Sequence, residues 1–145
     1  MVNFFIKLDK DSKREIVKAI TLTEKMTSGE VRVHIQSKCK EEVFEEGKKV
    51  FKKLKMYKTK ERNGVLIFIA LESKRFAILG DIGIHERVKD EFWNTTRDKM
   101  AEHFKKNQIK EGIVAGVLSI GEKLKKHFPR KSDDKDELPN KITEE

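Results

Sequence analysis

The chain has 145 residues, enough for one domain with a hydrophobic core and too few for two. Its formal net charge is +8, with 40% charged and 37% hydrophobic residues, and the clustering of the apolar residues in periodic blocks excludes a disordered chain. The longest apolar run, VLIFIAL at residues 65–71, falls far short of the roughly 20 residues that span a bilayer, no signal-peptide pattern opens the chain, and a single cysteine, Cys39, excludes an intrachain disulfide.

In chain order, residues 9–27 predict a helix, with Asp9 or Asp11 placed to cap it and Ile16, Val17, Ile20 and Leu22 on its apolar face. Ser28 and Gly29 end it. In EVRVHIQ, residues 30–36, Val31, Val33 and Ile35 alternate with Arg32, His34 and Gln36, the pattern of a half-buried strand. Residues 40–56 form the clearest amphipathic helix, with Val43, Phe44, Gly47, Val50, Phe51 and Leu54 at helical spacing. A polar connector, YKTKERNG, ends in the turn signal Asn63-Gly64 and leads into VLIFIAL, which suits a central strand covered on both faces. Residues 72–75 turn the chain into FAILG, residues 76–80, as a hairpin. Residues 89–106 and 109–127 carry two further helical stripes, and Pro129 closes the second. Residues 130–145 combine charge, Pro139 and no periodicity, and read as a disordered tail after a domain at 1–129. The alternation of elements predicts a three-layer α/β/α sandwich with a small mixed central sheet.

Familiar nucleophile and nucleotide motifs, among them CxxxxxR, GxxxxGK[ST], HExxH and GxSxG, are missing from the sequence. Its four histidines are scattered, without zinc-ligand spacing. The densest basic stretch, residues 48–60, has seven lysines and no arginine, which fits a solvated helix face better than a nucleic-acid surface. Against this basic background GDIGIHERVKDE gathers carboxylates at a strand-to-helix junction: Asp81 follows Gly80, Gly83 allows a backbone turn, and Glu86 and Asp90 lie four apart. Hard divalent cations take carboxylate, carbonyl and water oxygens together. Helix capping by Asp90 and Glu91, with a turn at Asp81, accounts for the same residues, and the residues alone leave both readings open.

TSGEVRVHI (27–35), ERNGVLIFIAL (61–71), KRFAILGDIGIHERV (74–88) and EGIVAGVLSIGEKLKKHFP (111–129) together resemble the TPM domain, in order, over roughly residues 10–129. The resemblance implies an α/β/α sandwich and a calcium site, with magnesium competing, in loops at one end of the sheet. It points to Asp81, Gly83 and Glu86 in one loop and to Glu61, Arg62 and Asn63 in the other. Residues 58–64 and 80–89 would then meet, so that Glu61 and Asn63 add oxygens to those of Asp81, Glu86 and Asp90, while Arg62 and Arg87 partly replace the cation in its absence. The expected function is a stand-alone, cytoplasmic, monomeric TPM domain that binds divalent cation as a metal-responsive module, with a protein partner unidentified. Acid phosphatase activity is a second expectation, implied by the resemblance alone; binding of nucleic acid or an anionic surface through Lys48, Lys52 and Lys55 is a third.

Overall fold

Apolar residues at nearly every position of the VLIFIAL run leave it no face to give to water. In the computed structural model, which describes residues 8–130 and 142–145, this run forms strand β2 (Gly64–Ala70), buried at all seven positions. Strand β1 (Glu30–Gln36) pairs parallel with it, Glu30 opposite Gly64, and β3 (Arg75–Gly80) pairs antiparallel, Val65 opposite Gly80. Parallel neighbours need a long crossover, and helix α2 (Val43–Lys53) supplies it.

Helices cover both faces of the sheet. Val31, Val33, Ile35, Val65, Ile67 and Ile69 project into a core shared with α1 (Lys10–Glu24) and α5 (Ile109–His127), and α4 (Asn94–Lys105) packs on α5. Leu66, Phe68 and Leu79 meet α2 on the other side. The expected α/β/α sandwich is therefore the fold. Asp9 caps α1, its carboxylate accepting from the Ser12 amide at 2.7 Å. A clasp joins the end of α5 to the start of β1: the Thr27 hydroxyl and the Ser28 amide both donate to the carbonyl of Phe128.

Four features depart from the sequence reading. The helix expected over 89–106 begins as a 3-10 turn (Asp90–Trp93) before α4, and a short helix, α3 (Ile82–His85), precedes it. Strand β1 is covered on both faces rather than one, because Arg32 and His34 lie beneath α2 and its exit loop. The Arg32 guanidinium donates to the carbonyl of Leu54 at 3.3 Å, and the His34 ring stacks on Phe68 with centroids 5.7 Å apart. Of the expected tail, residues 131–141 lie outside the described residues, whereas Ile142–Glu144 form β4, a parallel partner for β1 that gives the sheet order β3-β2-β1-β4.

The imidazole of His34 helps to hold β4 in place. Its Nδ1 lies 2.8 Å from the Thr143 hydroxyl and its Nε2 3.0 Å from the Gln36 side-chain oxygen. Cys39 is half-buried, and burial together with the Glu46 carboxylate pushes its thiol up to about 11. An undissociated thiol at neutral pH is a poor nucleophile.

Burial holds His34 below its ordinary value of 6.5; Lys53 and Arg32 act in the same direction, and Gln36 and Glu145 oppose them. The unfolded chain then takes up a proton that the folded chain refuses, so the contribution of neutral His34 is complete above the unfolded value and is lost as pH falls through the folded one. Thermal stability is expected to fall as the pH drops from neutrality through the ordinary histidine range and below it. His34→Gln should remove part of that fall in a pH series of melting temperatures, whereas an equal fall in both proteins would exclude His34 as its source.

Candidate functional site

Because β3 runs antiparallel to β2, the residues before β2 and after β3 meet at one end of the sheet. The Asp81 amide donates to the carbonyl of Gly64 at 3.0 Å, and the Gly83 amide to that of Arg62 at 2.9 Å. The contact at Gly83 is backbone against backbone: a Cβ there would lie 2.0 Å from the Glu61 carbonyl oxygen and 2.6 Å from that of Arg62. Only glycine allows this approach.

Residues 61–63 send their side chains to different partners. Arg62, in the left-handed region at φ 52°, holds Asp81 in a two-point pair, Nε to Oδ2 at 2.7 Å and Nη2 to Oδ1 at 3.0 Å. The Asp81 side chain is only 6% exposed, and its carboxylate also caps α3 by accepting from the Ile82 amide at 2.8 Å. The hydrogen bond to Asp81 raises the Arg62 guanidinium above its ordinary range. These two residues border a cleft of about 460 Å³ whose wall includes Lys48, Lys52 and Tyr57.

Glu61 and Asn63 converge instead on Ser28. The Ser28 hydroxyl donates to Glu61 Oε2 at 2.8 Å and accepts from Asn63 Nδ2 at 3.2 Å. The other Glu61 oxygen lies 3.9 Å from Arg87, whose guanidinium also bonds the carbonyl of His127 and covers the Phe128 ring. Asn63 is 1% exposed, and its Oδ1 has no hydrogen-bond partner. A buried amide oxygen left without a donor costs about 1–3 kcal/mol.

The sequence matches the TPM domain profile over residues 7–123. The chain belongs to the TPM domain family. BA42 protein from the psychrophilic bacterium Bizionia argentinensis, solved by NMR, is 45% identical, with 100% of both chains covered and a TM-score of 0.92. The N-terminal domain of a P. gingivalis protein shares 18% identity over 83% of this chain and 78% of its own, at a TM-score of 0.67. The N-terminal domain of cg2496 protein from Corynebacterium glutamicum shares 11% over 96% and 82%, at 0.65. These last two likenesses show the fold alone. No curated protein matches the sequence.

In this TPM domain the five candidate ligands do not form one cluster. Glu61 and Asn63 share Ser28, Asp81 is bound to Arg62, and Glu86 and Asp90 are exposed. Among the described residues no group of three or more histidine, cysteine, aspartate or glutamate side chains converges. Both arginines expected to offset the carboxylates do so. Capping falls to Asp81 on α3, while Asp90 and Glu91 occupy the first turn of the 3-10 segment, which has no side-chain cap. Ser28, which reads in sequence as a helix terminator, is the residue that connects Glu61 to Asn63. Its signal is topological: the start of β1 lies beside the start of β2 because the two strands are parallel.

Gly83→Ala should drive the two loops apart and cost about 1–3 kcal/mol, the range for an overpacked site. A urea melt measures it, and a loss no larger than that of Gly→Ala on an exposed surface would show that the loops separate freely.

Proposed function

We propose that this TPM domain binds a divalent cation, calcium with magnesium competing, at the loop end of the sheet and acts as a metal-responsive binding module. The observation that carries the reading is the buried, unpartnered Oδ1 of Asn63, whose amide nitrogen shares the Ser28 hydroxyl with the Glu61 carboxylate. A neutral amide oxygen, a hydroxyl, carboxylates and backbone carbonyls are the donor set that hard cations take. Ser28, Glu61 and Asn63 would hold the ion. Asp81 would join them once Arg62 released it, and Glu86 and Asp90 are exposed on the adjoining loop. When bound, the ion supplies positive charge to carboxylates that Arg62 and Arg87 now neutralise.

Metal-assisted hydrolysis of a phosphate ester is a second reading, favoured by the cleft in which Lys48, Lys52 and Arg62 face the Asp81 side of the site. There the cations of this chain would orient the ester while the metal polarised it. The anionic-surface reading draws less support, because of its three lysines Lys48 is already paired with Glu45, and the adjoining Lys49 and Lys53 with Glu41 and Glu145.

An amide-resolved NMR titration of metal-stripped protein with calcium, then magnesium, tests the first reading. Saturable shifts are expected at residues 28, 58–64 and 80–91, absent in Glu61→Gln. Asn63→Asp should destabilise the metal-free protein, since it buries a carboxylate, and should bind calcium more tightly. No localised response at millimolar calcium would overturn the reading. Turnover of 4-nitrophenyl phosphate that requires calcium and is lost in Asp81→Ala would establish the second.

A further inference from the structure

At the far end of β2, about 20 Å from the loops by the length of the strand, the sheet opens into a different kind of site. Two tight turns form its mouth. One closes the β2–β3 hairpin, with the Lys74 amide donating to the carbonyl of Leu71 at 3.2 Å; the other joins α4 to α5, with the Asn107 amide donating to that of Phe104 at 3.0 Å. Between them lies a cavity of about 510 Å³. Its wall is apolar, built on Leu71, Phe76 and Phe104, and the two rings meet edge to face with centroids 5.1 Å apart. Phe104 is fixed from behind as well, since a Cβ on Gly112 would lie 2.4 Å from its ring. The wall is therefore preformed.

Lys74 and Lys105 stand at the rim, both exposed. Among the described residues neither makes an ion pair, although Lys13, Lys49, Lys53 and Lys110 elsewhere on the surface all do. Arg75 also borders the cavity, but alternation along β3 sends its side chain to the other face of the sheet with Ala77 and Leu79. Among the described residues Asn107 is the one further polar side chain of the lining. A sugar, nucleoside or peptide would bury polar groups there without partners, at a cost that rejects it. The volume lies in the lower half of the roughly 300–1,000 Å³ range of small-molecule sites, which suits one chain rather than a two-chain lipid. An unbranched apolar body with one anionic head is what this combination leaves.

We propose that the cavity binds a medium-chain fatty acid, its hydrocarbon on Phe76 and Phe104 and its carboxylate between Lys74 and Lys105. The cations gain a partner in a half-enclosed site where water screens less than in bulk, and the chain leaves water for a wall that needs no rearrangement.

The experiment is an NMR titration of the full chain with decanoate below its micelle threshold, with decanol as the neutral probe. Saturable shifts are expected at residues 69–76 and 101–109, with decanol weaker. The variant Lys74→Glu, Lys105→Glu changes only exposed side chains, so its fold is retained, and it should lose about tenfold or more in decanoate affinity. Ala101→Phe, which fills the cavity, should abolish binding of both probes. Equal binding of decanoate and decanol, or unchanged affinity in the charge-reversal variant, would overturn the carboxylate assignment. Shifts that appear only with phosphatidylglycerol vesicles would make the face a membrane contact and overturn the proposal.

Discussion

Strand β2 has no solvent face, and that constraint organises the molecule. A fully buried leucine, isoleucine or phenylalanine contributes about 1.5–3 kcal/mol, against about 1–2 kcal/mol of backbone entropy lost per residue, so a strand of this composition is stable only when it is covered. Cover on one face comes from α1 and α5 and on the other from α2. The α2 crossover that covers the strand is also the link that lets β1 run parallel to it, so the covering and the topology have one cause.

The ends of β2 inherit their chemistry from its neighbours. At its start, a parallel strand and an antiparallel strand bring three loops to one place, and carboxylates from a chain of positive net charge are gathered where arginines can reach them. The two-point bond from Arg62 to the buried Asp81 is stronger than an exposed ion pair because one partner is shielded from water. Arg62 and Arg87 thus offset the carboxylates of this end of the sheet.

Much of the fold was legible because its helices and strands are periodic over many residues. The alternation in EVRVHIQ and the apolar run after Asn63-Gly64 identified β1 and β2, and the stripe from Val43 to Leu54 identified α2. What escaped was set by partners distant in sequence. Arg32 and His34 look solvent-facing by alternation, yet they are buried because Leu54, Phe68, Gln36 and Thr143 supply hydrogen bonds and a stacking surface. Strand β4 is three residues long and too short for any period to show; it exists because β1 offers an open edge. The meeting of residues 61–63 with 81–83 was expected from the family resemblance, whereas the division of the ligands between Arg62 and Ser28 was not legible, since successive residues of one loop point to different partners.

Backbone strain connects the two ends of the strand. Among the described residues, Lys55, Arg62, Lys74 and Asn107 are the non-glycine residues with positive φ, at 57°, 52°, 54° and 61°. A left-handed conformation costs an L-residue roughly 1–2 kcal/mol relative to the right-handed one, and glycine would avoid most of it. Asn107 is the least penalised of the four, as asparagine tolerates this region. Arg62 and Lys74 have no such excuse, and each stands at the mouth of a site. At Arg62 the side chain repays the cost visibly, through Asp81. Lys74 has no comparable partner among the described residues, and its turn stands at the mouth of the apolar cavity. Backbone outliers cluster at ligand clamps and switch regions, so the Lys74 turn and the apolar wall behind it belong to the same question, which the decanoate titration addresses.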